Sequence, residues 1–124
     1  MASDATFYRW DAMPKERLTA YLDRTFLHGE RIMLAHIHMK KGCAVPKHSH
    51  ENEQISYCLT GKILFKLGED QDKDQLLEAG DVIVLPSNLP HSAIALEDSL
   101  SLDVFNPPRK DWIEGTDAYL RGQK

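Results

Sequence analysis

Cysteine is scarce in this chain. Cys43 and Cys58 are the only two, and they form no spaced pattern. A disulfide framework is therefore excluded, and both thiols are expected to be free in a reducing, cytoplasmic setting. Long apolar runs are missing as well. None approaches the ~18 residues that a membrane span needs, so no membrane partner is expected. The first residues, MASDATFYRW, hold neither a basic start nor an apolar segment, which argues against a secretory signal. Positive charge is in deficit. Fifteen basic residues face nineteen acidic ones, for a net charge of −4, which disfavours nucleic acid or an anionic surface as partner. Repeats and low-complexity stretches are also absent.

What remains is the composition of an ordinary globular domain. The 124 residues are 42% hydrophobic and 27% charged. That length makes one domain and can bury a core without disulfide or metal staples.

Short strands separated by turn signals dominate the chain. Met33, Ala35, Ile37 and Met39 alternate with Ile32, Leu34, His36 and His38, which predicts a strand. Gly29 marks the hairpin before it, with the partner strand around residues 22–27. The preceding ERLTAYLDRTF fits helix or strand, and the hairpin favours strand for its second half. Further strands are expected at EQISYCL, ILFKLG, QLLEA, VIVLP, HSAIAL and LSLDVF. The acidic EDQDKD, residues 69–74, reads as a solvated hairpin tip. Two prolines end the sheet after Asn106, and DAYLRG fits one helical turn. This spacing predicts an all-β barrel or sandwich of the jelly-roll kind.

The chemistry concentrates in GCAVPKHSHENEQISYCLTG, Gly42 to Gly61. If one strand ran through it without a bulge, His48, His50, Gln54, Ser56 and Cys58 would share a face. Imidazoles at i and i+2 can chelate one divalent transition metal, and an amide oxygen can add a bond. A third imidazole, His91, follows in GDVIVLPSNLPHSAIA, Gly80 to Ala95.

Together the two blocks resemble the paired signatures of the cupin superfamily. The first signature is Gly-x5-His-x-His-x3,4-Glu-x6-Gly, met here by Gly42, His48, His50, Gln54 in place of Glu, and Gly61. The second is Gly-x5-Pro-x-Gly-x2-His-x3-Asn, met by Gly80, Pro86, Asn88 in place of Gly, His91, and Ala95 in place of Asn. Eighteen residues separate them. The resemblance implies a single-domain cupin β-barrel over residues 29–112, with motif one at 42–61 and motif two at 80–95. Residues 1–28 would supply an N-terminal arm and the first strands, and 113–124 a C-terminal tail. It also implies that His48, His50, Gln54 and His91 bind a divalent transition metal: Ni, Zn, Fe, Mn or Cu. Asn88 tolerates the left-handed backbone that Gly adopts there. Gln54 leaves the ion one negative charge short, hence a stronger Lewis acid and a poorer stabiliser of high oxidation states.

A narrower likeness covers Gly29 to Trp112. With Gln54 as fourth ligand and a last strand of the form Asp103-x-Phe105-x3-Arg109, the chain resembles the small KdgF-type cupins of pectin and alginate degradation. Those proteins convert 4,5-unsaturated monouronates into linear keto sugars. The likeness implies Asp103 as general acid/base, Arg109 as clamp for the substrate carboxylate, and Phe105 against the sugar face. The residues by themselves also allow an Asp103–Arg109 ion pair closing the barrel end. Rival functions are a non-catalytic ligand-binding cupin, and a metal-dependent dioxygenase or lyase on another small carboxylate. His36 and His38 either face outward or enter the cavity; His28 belongs to the surface; Cys58 is expected to point inward and Tyr57 outward. Exposed sheet edges and the aromatics Phe7, Tyr8 and Trp10 favour a homodimer.

Overall fold

A computed structural model describes residues 4–122; residues 1–3 of the arm and 123–124 of the tail lie outside the described residues. A 3-10 turn at Trp10–Ala12 precedes ten strands. These are β1 (Glu16–Thr19), β2 (Leu22–His28), β3 (Met33–Met39), β4 (Ala44–His48), β5 (Glu53–Thr60) and β6 (Lys62–Leu67). They continue as β7 (Lys73–Glu78), β8 (Val82–Leu85), β9 (His91–Ala95) and β10 (Ser99–Asn106). The helix α1 (Lys110–Glu114) and a 3-10 turn at Ala118–Arg121 close the chain.

The strands build two antiparallel sheets, ordered β1-β2-β3-β10-β5-β8 and β4-β9-β6-β7. The chain crosses between sheets as it runs from β3 to β4 and from β4 to β5, which makes the jelly roll. Alternation drives the packing. On β3, Met33, Ala35, Ile37 and Met39 are buried and the residues between them are not. On β10 the buried set is Ser99, Ser101, Asp103 and Phe105. Met33, Leu85 and Phe105 of the six-stranded sheet share one core with Ile63, Phe65 and Leu77 of the other. Each large side chain buried there contributes about 1.5–3 kcal/mol.

Two turn residues of the motifs have clear physical reasons. Gly61 has φ +90°, and a Cβ there would overlap the Ser99 side chain and the Asp98 carbonyl. Asn88 has φ 67°, the left-handed conformation expected where the motif usually carries Gly. The acidic tip is shorter than predicted, because β7 starts at Lys73. Lys73 and Asp74 pair with Leu67 and Lys66 of β6, and an exposed edge strand needs no apolar residues to do so.

Both halves of ERLTAYLDRTF are strand, β1 and β2. They hold the C-terminal segment through a closed ring of charges. Arg24 meets Glu16 at 2.7 Å and Asp117 at 2.6 Å; Arg121 meets Glu16 at 2.8 Å and Asp117 at 2.9 Å. The Arg24 guanidinium also lies over the Trp112 ring, 4.4 Å from its centroid. Burial works against the Asp117 charge, but hydrogen bonds from Arg24 and Arg121 outweigh it and hold the carboxyl below its ordinary pKa. This network seats the last 3-10 turn against β1 and β4.

Candidate metal centre

The single-strand premise for His48, His50 and Gln54 does not hold. His48 ends β4, His50 stands in the turn at 49–52, and Gln54 opens the inner face of β5 in the other sheet. The reason is geometric: β4 pairs with β9 and β5 with β10, so the chain must change sheets between them. The side chains converge all the same. His48 stands opposite His91 in the β4–β9 register. Gln54 stands opposite Phe105, and Ser56 opposite Asp103, in the β5–β10 register.

One ring nitrogen of each imidazole is tied to a backbone carbonyl. His48 Nδ1 lies 2.8 Å from the Pro46 oxygen, His50 Nδ1 3.0 Å from that of Asn52, and His91 Nδ1 2.9 Å from that of Leu89. Those acceptors favour the proton on Nδ1 and leave Nε2 of His48 and His91 as lone-pair donors, while His50 has an oxygen at each ring nitrogen, that of Asn52 at Nδ1 and Gln54 Oε1 at Nε2. Ligand atoms of the three rings lie within 4.8 Å of one another. His91 Nε2 is buried without a hydrogen-bond partner, a costly arrangement unless something else takes the lone pair. Burial, first of all, depresses the pKa of His48 to about 3 and that of His50 to about 4, so both rings are neutral near pH 7. Neutral imidazoles with converging lone pairs could hold a divalent metal ion.

Gln54 suits a fourth position. Its Oε1 lies 3.1 Å from His50 Nε2, and its Nε2 donates to Ser56 Oγ at 2.9 Å. The amide oxygen thus faces the imidazoles. Asp103 lies in the same cavity with Gln54, His48, His91 and Phe105. It receives a 2.6 Å hydrogen bond from Ser101 Oγ. Burial pushes its carboxyl above the ordinary carboxylate range, against opposing hydrogen bonds from Ser101 and Ser56 and the Arg109 charge.

Arg109 is only 2% exposed and sits between two rings, 5.1 Å from the Phe105 centroid and 4.9 Å from that of Trp112. The alternative Asp103–Arg109 ion pair is not formed. Arg109 instead donates from Nε and Nη2 to the two Asp111 carboxylate oxygens, at 3.1 and 2.9 Å, and from Nη2 to the Tyr119 hydroxyl. Asp111 is two residues away in sequence and reaches Arg109 because α1 begins there.

Other residues fall as follows. His36 and His38 do not enter the cavity; Trp10 stacks on His36 with centroids 3.7 Å apart. His28 is exposed, Tyr57 points outward, and Cys58 is fully buried in the core rather than lining the cavity. Sequence reasoning missed Tyr119, whose ring packs 4.8 Å from that of His48. Its one signal was the helical turn expected at DAYLRG, which carries it.

The model of the cupin domain family matches residues 35–105. No curated protein matches the chain by sequence. Among solved structures, KdgF from Halomonas sp. is 28% identical with a TM-score of 0.81, covering 88% of this chain and 99% of that one. An RmlC-like cupin from Shewanella frigidimarina is 25% identical with a TM-score of 0.80, covering 90% and 99%. Oxalate decarboxylase from Bacillus subtilis is 20% identical with a TM-score of 0.72; the match spans 86% of this chain but 31% of that one, and it speaks for the fold alone.

Proposed function

The chain belongs to the cupin family, and on that premise we propose that it converts 4,5-unsaturated monouronates into linear keto sugars. The observation that carries this reading is one constellation. Asp103 and Phe105 of β10 line a cavity with His48, His91 and Gln54, and Arg109 lies over the Phe105 ring. A divalent metal on His48, His50, His91 and Gln54 would polarise a ring or hydroxyl oxygen of the sugar. Arg109 holds the substrate carboxylate, and Phe105 packs on the sugar face. Asp103 moves the proton. It takes the proton of the anomeric hydroxyl as the C1–O5 bond breaks and the electron pair passes to O5. It returns that proton at C4, which leaves a ketone at C5 and an aldehyde at C1. The sum is an isomerisation, and Asp103 ends as it began. Its upward-shifted pKa suits a group that must hold a proton part of the time.

We propose, too, that the protein acts as a homodimer in the cytoplasm. Ile55 and Tyr57 on β5 pair with Val84 and Val82 on β8, and all four side chains are exposed on the outer face of the six-stranded sheet. The cytoplasmic reading is supported by the two cysteines, which are both buried and free of any disulfide.

The test is loss of the enol-ether absorbance of unsaturated galacturonate. The metal-loaded protein should turn the sugar over. Asp103→Ala should be slower by roughly a hundredfold or more. Lys66→Ala, on the exposed β6–β7 pair, should match the wild type. Chelator-treated protein should be inactive until metal is restored. Absence of turnover with each of Ni, Zn, Fe, Mn and Cu defeats the proposal.

A further inference from the structure

A guanidinium carries five N–H donors: one on Nε and two on each Nη. Asp111 occupies the Nε hydrogen and one on Nη2 of Arg109. Tyr119 accepts from Nη2 as well. Only Nη1 is left, so Arg109 alone cannot offer the two parallel bonds that a carboxylate prefers. A second donor must come from elsewhere. The Trp112 indole N–H is buried without a hydrogen-bond partner. The phenol oxygen accepts from Arg109, and its own proton has no acceptor among the described residues. Tyr119 lines the same cavity as His48, His91 and Asp103. An O–H that accepts from a guanidinium is polarised into a stronger donor.

We propose that the Tyr119 hydroxyl binds ligand: a carboxylate bridges Arg109 Nη1 and the Tyr119 O–H, and this pair sets the preference of the site for an anion. The sugar-acid identity of the ligand rests on the function proposed above; the carboxylate preference does not. Tyr119 lies beyond the residues that the cupin model matches, on a segment held by the Arg24–Asp117 pair. Its hydroxyl is thus a specificity device supplied from outside the barrel.

The test uses metal-loaded wild type and Tyr119→Phe, with metal content and Tm as folding controls. Calorimetric titration compares D-galacturonate with its methyl ester, and cyclohexanecarboxylate with its carboxamide. The phenylalanine variant should bind both acids roughly tenfold to a hundredfold more weakly, the scale of a hydrogen bond to a charged group. Binding of the neutral partners should stay within about twofold. In turnover, KM for unsaturated galacturonate should rise by the same factor with kcat nearly unchanged. If cyclohexanecarboxylate shows the loss while no uronate is turned over, the inference stands and the proposed reaction falls. Acids bound within twofold of wild type, acids and neutral partners weakened alike, or a wild type that binds no carboxylate would each overturn it.

Discussion

Each imidazole of the cluster is anchored by its own backbone neighbourhood, and the consequence can be read in a titration. Ordinary histidine takes up a proton near pH 6.5, whereas in the fold His50 does so only at about 4 and His48 at about 3. Between those limits the unfolded chain binds protons that the folded chain refuses. Stability of the metal-stripped protein should therefore fall as pH drops from about 6.5 toward 4.5. Asp103 acts with the opposite sign, since its raised pKa makes the fold the better proton binder as pH falls. Burial works against the charges of Asp117 and Glu16, but their arginine partners hold both below the ordinary carboxylate range, so their contribution is present above that range and is lost as pH falls below about 5. Thermal melts of metal-stripped wild type and His48→Gln across that window give the check. The variant should show a shallower slope, and equal slopes would rule out the histidines as the cause.

Among the elements, the C-terminal segment stands apart because local propensity does little for it. Its helix has five residues and its last turn four, too few to be stable alone. The ring of Arg24, Glu16, Asp117 and Arg121 holds it down, with Trp112 buried beneath. Asp117 is completely buried, so Asp117→Ala would remove one of the two carboxylates paired with the buried Arg24 and leave Glu16 as the other. The expected cost is about 3–5 kcal/mol in urea unfolding. Because the same segment carries Tyr119, affinity for carboxylates should drop together with stability. A variant that unfolds within about 0.5 kcal/mol of wild type, the usual scatter of surface changes, would show the ring to be incidental.

The molecule as a whole presents two different faces of one sheet. The inner face of β5 and β10 carries the polar chain Gln54, Ser56 and Asp103, while the outer face of β5 and β8 exposes Ile55, Tyr57, Val82 and Val84. A patch of that kind on the flat side of a sheet fits a self-complementary partner. Sedimentation should show a dimer for the wild type and a monomer for Val84→Asp. Sedimentation as a monomer by the wild type at tens of micromolar would dispose of this arrangement.

Much could be read from the chain before any coordinates. Alternation along Met33–Met39 and Ser99–Asn106 announced strands, because side chains on a pleated ribbon change sides at every residue. The likeness to the cupin signatures implied a metal site at His48, His50, Gln54 and His91, of which the three imidazoles form a cluster that could hold an ion, and the left-handed turn at Asn88 was expected from its side chain. Folding in three dimensions supplied the rest. It carried the chain from one sheet to the other between His48 and Gln54, so that the imidazoles and the amide meet across the barrel rather than along a strand. It brought Asp117 to Arg24, 93 residues away, and Arg121 to Glu16, 105 residues away. Pairs so distant leave no periodic trace in a sequence. They form because buried charges must find partners and the backbone topology offers only certain ones.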